Sequence, residues 1–567
     1  MLHQCHNVIR NREKKDPAAA FDEIAKILFV KTGIERRLRE GRSRKNLFTA
    51  DFLDEQKQIH DDPMNVLFAQ TKRDYEVDRI FDEDDRIDLK FNTAKAIVKL
   101  LEKYNLSDTS EDIKGIAFER FLGRTFRGEI GQFFTPRTIV EFMIRMVEPQ
   151  EGDVICDPAS GSGGFLIRFF EIVRQQILAN ADREYEEFKA EVAERTDLND
   201  IEKARLRREK YAVIQETIDQ KKENSRLWKL ANRCIYGTDA NDRMARTSKM
   251  NMIMHGDGHG GVHHHDGFIN INGIFEGRFD IVLTNPPFGA NVEETDVIEE
   301  ASVTVPEKVE EQYTKDFGDL YKEAMKRVRA AVGNSIASLF DLPKNASSKT
   351  KTEILFIERC LSLLKPGGRL GIVLPEGIFN NPSLAYVREF CEDRAFIRAV
   401  VSLPQETFYS SGASVKASLL FMQKFTEAEQ LDFDANKAEA KAEIDEKYAE
   451  EIAAQTHSLN EAIATAKAEK KTQLRQALQK ELKAYLKQME TIKQAETRGL
   501  LKERVPYPIF LYNAEKVGIT ATGEEDQNEL YPNDNQPPNS NVSCLDFYRE
   551  FRTNPEKFML NLEESAA

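Results

Sequence analysis

Apolar residues recur at helical spacing near the start of the chain. Phe21, Ile24, Ile27 and Leu28 form one stripe, and Ala94, Ile97, Val98 and Leu101 form another. Residues three and four apart share a helix face, so this spacing predicts a helical N-terminal domain over 1–125. Further on the period changes. Short apolar runs at 154–156, 235–237, 279–284, 370–374 and 418–422 read as buried strands separated by helical stretches. Strands alternating with helices predict an α/β domain with a Rossmann-like sheet over 126–425.

Two charged segments interrupt that domain. Residues 182–228, rich in Glu, Arg and Lys, read as exposed helices between the first two strands, and residues 290–350 as either a flap over a substrate or a solvated decoration. From 426 to 505 the chain is dominated by Ala, Glu, Lys and Gln. There Leu478, Leu482, Tyr485, Met489 and Ile492 alternate by four and three, the mark of a coiled-coil seam in a helical arm. Ser458 and Glu461 fit a capping box, so two helices are expected to meet near His457. Residues 506–567 are expected to supply a strand pair beginning at 507–512, an Asn/Pro-rich linker and a final tail helix.

At 567 residues and 41% hydrophobic content, the chain can bury a full α/β core and carry accessory modules. It opens Met1-Leu2-His3-Gln4 and soon becomes charged, so no signal peptide is expected, and no apolar run approaches the roughly 20 residues of a membrane span. The 6 cysteines form no paired motif, which fits a reduced, cytoplasmic protein, and Cys156 is expected in the core. His263-His264-His265 has no Cys or acidic ligand at tetrahedral-site spacing. Neighbours on an extended chain point to opposite faces, so the run reads as a solvated loop and no metal is expected.

Candidate chemistry concentrates at strand ends. The run 279–284 is followed at once by Asn285-Pro286-Pro287-Phe288. The Asn285 side-chain carbonyl and the Pro286 main-chain carbonyl can both accept from one exocyclic amine, with proline holding φ. Phe288 offers an apolar face for a flipped base, and such stacking is worth roughly 1–3 kcal/mol. A plain Pro-rich turn after a strand is the alternative.

The stretch Cys156-Asp157-Pro158-Ala159-Ser160-Gly161-Ser162-Gly163-Gly164 is a strand end running into a Gly/Ser loop and a helix. It lacks a phosphate-loop lysine and the glycine spacing of a dinucleotide fingerprint, while Asp157 points to a cationic or hydroxylated ligand. This pattern fits S-adenosylmethionine, held by Asp157, Ala159, Ser160, Gly161, Ser162 and Gly163. Asp239 closes a second strand and is placed for a ribose diol, and Asp257 is the expected acid at the third strand end, near an adenine.

Upstream stands Gly131-Gln132-Phe133-Phe134-Thr135-Pro136 before an apolar helix. In this order, Gly-Gln-Phe-Phe-Thr-Pro, Asp-Pro-Ala-Ser-Gly-Ser-Gly-Gly and Asn-Pro-Pro-Phe resemble the amino-adenine DNA methyltransferases, specifically the modification subunits of Type I restriction-modification systems. The resemblance spans roughly 60–425. It implies a methyltransferase sheet, direct methyl transfer from S-adenosylmethionine to the N6 amine of a flipped adenine, and catalytic roles for Asn285, Pro286, Pro287 and Phe288. It also implies that Gln132, Phe133, Thr135 and Pro136 lie at the cofactor, the last two near its methionine end. DNA is the implied substrate, a specificity subunit the implied partner, two modification subunits the implied copy number, and a restriction subunit an optional further member.

The formal charge of −15 agrees with that division of labour, because duplex affinity comes largely from Lys and Arg at phosphates and an acidic chain alone binds DNA poorly. Basic segments such as Arg36-Arg37-Leu38-Arg39 read as solvated helix faces. Other readings stay open: a self-contained adenine-N6 or cytosine-N4 methyltransferase, which would need a basic recognition region after 425; a non-catalytic scaffold, against which Asp157, Asn285 and Pro286 all stand intact; and a protein-glutamine methyltransferase, which shares an Asn-Pro-Pro motif.

Overall fold

A computed structural model describes residues 1–39, 41–76, 80–106, 118, 121, 135–256, 261–342, 349–411, 414–538 and 542–558. Two units are present: 1–391 with 397–424 and 510–567, and 392–396 with 425–509.

The first unit is built on an eight-stranded sheet. Its strands are β1 (Ile155–Asp157), β2 (Ile235–Asp239), β3 (Gly261–His264), β4 (Phe279–Thr284), β5 (Leu364–Pro375), β6 (Ala395–Ser402), β7 (Ala417–Lys424) and β8 (Phe510–Asn513). Their spatial order is β8-β6-β7-β5-β4-β1-β2-β3. β1 runs parallel to both β2 and β4, in register Ile155↔Ile235 and Ile155↔Ile281, whereas β7 is antiparallel to β5. All three residues of β1 are buried, as a central parallel strand requires. Ile139, Phe142 and Met143 of helix Arg137–Val147 and Leu166, Phe169 and Phe170 of helix Gly164–Glu194 share one core with Ile155, Ile281, Leu283 and Val373. Strand order reverses between β1 and β4, which places the ligand crevice of an open α/β sheet beyond their carboxyl ends.

The expected N-terminal stripes are buried: Ile24, Leu28, Ile97 and Val98 join a core that also takes Met244, Met250 and Met254 from helix Asp242–Met254. That helix carries the fully buried Arg246, whose guanidinium donates to Asp22 (3.0 Å), Asp85 (3.1 Å) and Asp242 (2.6 Å). The N-terminal helices are therefore fastened to the helix that follows β2.

Two expectations are corrected here. The His263-His264-His265 run is not a solvated loop. His263 and His264 close β3, paired with Thr238 and Asp239, and His263 and His265 are buried. Val262 is the lone aliphatic in the strand, so hydrophobic patterning does not reveal it. The charged insertion divides: its two ends, Asn291–Val292 and Thr350–Lys351, pair beside the Asn-Pro-Pro-Phe segment, whereas the bend of its long helix does not reach the crevice. Its helix Glu307–Ala330 bends at Gly318 (φ 58°), and near the bend Asp316 pairs with Arg233 (2.7 Å) while Phe317 stacks under Arg278 (4.4 Å). Arg233 and Arg278 precede β2 and β4, so the bend is fixed at the amino ends of the strands, away from the crevice.

The second unit is a hairpin of helices Glu427–Ala468 and Thr472–Arg504. Thr426 and Glu429 form a capping box at its start. Of the expected seam, Met489 is buried and Leu478, Leu482, Tyr485 and Ile492 are partly so, facing a helix that buries Ala440, Ile444 and Leu459. Lys447–Glu496 and Lys493–Asp445 pairs, both 2.6 Å, flank it. The helices do not meet near His457. Ser458 lies inside the first helix, and the reversal comes at 469–471, where Lys470 takes φ 55°. A Ser three residues before an acid caps only where the backbone leaves helical φ/ψ, and nothing around Ser458 does so. Among the described residues no helix is long and apolar enough to cross a membrane.

Candidate active site

β1 ends in the buried Asp157, whose Oδ1 accepts the N–H of Ala159 (3.1 Å). The following loop is pinned to the end of β2. Ser160 donates its N–H to the Thr238 carbonyl (2.8 Å), and Gly161 donates to Oδ2 of Asp239 (2.9 Å). Gly161 and Gly163 have φ of 52° and 82°, and a Cβ on Gly163 would stand 2.6 Å from Oγ of Ser248. Conformation favours glycine at both positions, and at Gly163 a Cβ would also displace the Ser248 hydroxyl. Asn251 donates its Nδ2 to the Ser162 carbonyl (3.0 Å), closing the loop from the helix after β2.

Asp239, at the end of β2, also accepts from the Asn241 N–H (2.8 Å). Burial drives the Asp157 carboxyl up from 3.8 to about 7, with the Thr284 hydroxyl and the Ala159 N–H opposing and the Asp239 charge adding to the rise. Burial likewise raises Asp239 to about 6, against the pull of the Asn241 and Gly161 N–H groups. Two carboxyls held this high are poised for a ligand that brings hydroxyls or positive charge. The buried hydroxyls of Ser160 and Ser248 and Oδ1 of Asn251 have no hydrogen-bond partner among the described residues, so the loop presents unsatisfied polar groups as well as carboxylates. That donor and acceptor set fits S-adenosylmethionine.

On the neighbouring strand, β4 delivers Asn285 directly past the buried Thr284. The Asn285 Nδ2 donates to Oγ1 of Thr135 (3.0 Å), while its buried Oδ1 has no partner among the described residues. Pro286 is buried, Pro287 exposed, and Phe288 partly buried against the main core. Thr135 stands just before helix Arg137–Val147, whose N-cap is the buried Pro136. The strand register Cys156↔Val282 sets the glycine loop beside the Asn-Pro-Pro-Phe segment.

Asn285, Thr135, Pro136, Asp157, Ala159, Ser160, Gly161, Ser162, Gly163 and Asp239 thus gather at the carboxyl ends of β1, β2 and β4. Gln132, Phe133 and Asp257 lie outside the described residues. The third strand does not end at Asp257, since β3 closes at His264. The acid beyond that end is Asp266, which accepts from the Phe268 N–H (2.9 Å) and whose carboxyl is raised by burial. The signal available for it was an acid following a short His-rich run. Cys156 is buried inside β1 and burial pushes its thiol up, so it is core. Among the described residues no cluster of three His, Cys, Asp or Glu is placed to hold a metal.

A mostly parallel sheet with one antiparallel strand near its edge, a glycine loop after β1 and acids closing β1 and β2 define the Rossmann-like fold of S-adenosylmethionine-dependent methyltransferases. Within that class the N-6 DNA Methylase family matches residues 109–332 and 338–494, and the chain belongs to this family. It is similar to the Type I restriction enzyme EcoKI methylase subunit of Escherichia coli (strain K12), 24% identical over 303 residues, which are 53% of this chain and 41% of that protein. The Type I restriction enzyme EcoEI methylase subunit of Escherichia coli is 22% identical over 333 residues, 58% of this chain and 50% of that one. The match therefore spans half or less of these curated relatives. Among solved structures, a type I restriction-modification system methyltransferase subunit from Streptococcus thermophilus is 18% identical with a TM-score of 0.45, over 75% of this chain and 83% of that one.

Proposed function

We propose that this chain transfers a methyl group to the N6 amine of an adenine flipped out of a specific DNA site, as the modification subunit of a Type I restriction-modification complex. The observation that carries the reading is the Asn285 amide, tied by its NH2 to Thr135 and left with a buried, open carbonyl. A carbonyl fixed in that way is an acceptor waiting for an N–H. With the Pro286 carbonyl it can hold both hydrogens of an exocyclic amine, so the nitrogen lone pair is turned out of the base plane. Phe288 stacks on the extruded base.

S-adenosylmethionine, when bound, supplies an electrophilic methyl group. Asp157, the 159–163 loop and Asp239 hold it, with Thr135 and Pro136 at its methionine end and Gln132, Phe133 and Asp257 included in the proposed lining. The protein's work is alignment and dipolar stabilisation: Asn285 and Pro286 carbonyls face the positive charge that grows on the amine nitrogen, and no covalent enzyme intermediate is needed. The displaced proton leaves to solvent or through Asn285.

The net charge of −15 supports dependence on a partner for DNA affinity, and the hairpin 427–504 is the proposed docking arm for a specificity subunit, with two copies of this chain per complex. Cytosine-N4 is the second reading, because the same two carbonyls can hold its amine. Nucleoside analysis of methylated DNA decides between them: N6-methyladenine is expected, and N4-methylcytosine as the product would overturn the substrate assignment.

A further inference from the structure

Residues 350–353, far from the motif in sequence, grip the backbone of the Asn-Pro-Pro-Phe segment. Asn291–Val292 forms a short antiparallel ladder with Thr350–Lys351. The Thr352 hydroxyl donates to the Pro287 carbonyl (3.0 Å) and its N–H to the Ala290 carbonyl (3.1 Å). Lys351 Nζ reaches the Gly289 carbonyl (2.8 Å). Glu353, 7% exposed, accepts the Gly289 N–H on Oε2 (3.1 Å).

Gly289 has φ 75°, so the chain turns sharply just after Phe288. Glu353 sits in the first turn of helix Thr352–Leu363, where the helix N-terminus favours a carboxylate. A helix-mounted carboxylate is a firmer support than a loop residue would be. The Pro286 carbonyl therefore lies between two fixed points, Asn285 tied to Thr135 on one side and Pro287 tied to Thr352 on the other.

We infer that Thr352 and Glu353 are positioning residues of the transfer reaction: they touch neither substrate nor cofactor and act by holding the Pro286 carbonyl and the Phe288 ring in the geometry that receives the base. This rests on the proposed methyl transfer. In well-oriented reactions a displacement of about 1 Å costs on the order of 10²-fold in rate, so loss of the grip should appear in kcat and spare binding.

The test uses the full chain, alone and co-purified with its specificity subunit, with tritiated S-adenosylmethionine and unmethylated plasmid DNA. Glu353→Ala should speed amide hydrogen exchange at Phe288, Gly289, Ala290 and Asn291, and lower kcat on the order of 10²-fold. The KM for DNA and the cofactor Kd should stay as in wild type. Glu353→Gln keeps an acceptor at Oε1 and should restore both readouts, while Thr352→Val should follow Glu353→Ala. Unchanged exchange over 288–291 in Glu353→Ala, or wild-type kcat in it, would overturn the inference. So would a general loss of exchange protection together with lost cofactor binding and no rescue by Gln, since that marks a merely structural residue. If wild type transfers no methyl yet Glu353→Ala loosens 288–291, the methyl-transfer reading fails and the grip on the loop stands.

Discussion

The side chain of Asn285 is anchored to Thr135, Nδ2 to Oγ1 at 3.0 Å, across 150 residues of sequence. An asparagine amide has two ends, and tying down the NH2 decides where the carbonyl points. The anchor thus converts a flexible side chain into a preset acceptor, which is the property that the proposed methyl transfer to an amine asks of it.

Asn285→Ala should leave cofactor affinity intact and cut transfer on the order of 10²–10³-fold or more, the loss expected for one preorganised polar group at a reacting centre. Thr135→Val should cost less, because the carbonyl remains and only its aim is loosened, by roughly 1 kcal/mol for one hydrogen bond. Calorimetry with S-adenosylmethionine beside tritium incorporation into DNA separates the two effects. Near wild-type transfer in Asn285→Ala would sink the assignment of the site.

Asp157 predicts a pH dependence of cofactor binding. Its folded carboxyl is raised from 3.8 to about 7, so the empty fold favours the protonated form, and the cost of holding the charge is absent below 3.8 and complete above about 7. A ligand that donates to the carboxylate must first displace that proton. Affinity should therefore rise as pH increases through the range 5 to 7 and level off above it, changing about tenfold per unit on the steep part. Binding titrations from pH 5.5 to 8.5 check this. Asp157→Asn should weaken binding and remove the step near 7, leaving the lower one expected from Asp239 near 6.

Arg246 is fully buried and shared by Asp22, Asp85 and Asp242. Replacing it with Ala removes the partner of the poorly solvated Asp22 and Asp85, though Asp22 keeps Lys26 and Asp242 is open to water, so the cost falls below the roughly 3–5 kcal/mol of a fully buried pair. A lower denaturant midpoint is expected, accompanied by faster proteolysis of the N-terminal helices. An unchanged midpoint would show that these helices are held by their apolar core alone.

The acidic chain should bind DNA weakly and without site preference by itself, and gain both affinity and methylation when a specificity subunit is present. Removing 434–500 and joining the ends with a Gly-Ser linker should keep cofactor binding and impair assembly. Gel shifts at fixed salt with the chain, the complex and the deletion provide the comparison. Tight site-specific binding by the chain alone would refute dependence on a partner, whereas normal assembly of the deletion would refute only the docking arm.

Local patterning carried much of this protein. The apolar stripes of the N-terminal helices and the seam through Leu482 and Met489 are written in periodicity, because burial of one face repeats with the pitch of a helix, and the strand at 279–284 in a short continuous apolar run, because a central strand is buried on both faces. The glycine loop and Asn-Pro-Pro-Phe were legible for a related reason: their chemistry is compressed into contiguous residues whose backbone demands are local. Tertiary structure decided the rest. β3 is hidden in sequence because Val262 is its one aliphatic among Gly261, His263 and His264, so the acid after it, Asp266, could not be told from Asp257 by spacing. The course of the 290–350 insertion depends on Arg233 and Arg278 meeting Asp316 and Phe317, pairings with no local signature. The anchors of the transfer loop, Thr135 on one side and Thr352 with Glu353 on the other, are ordinary residues in their own neighbourhoods. They become specific only when the sheet brings strand ends, helix starts and loop carbonyls within hydrogen-bonding distance, and hydrogen-bond direction is a property of three-dimensional placement that no one-dimensional pattern encodes.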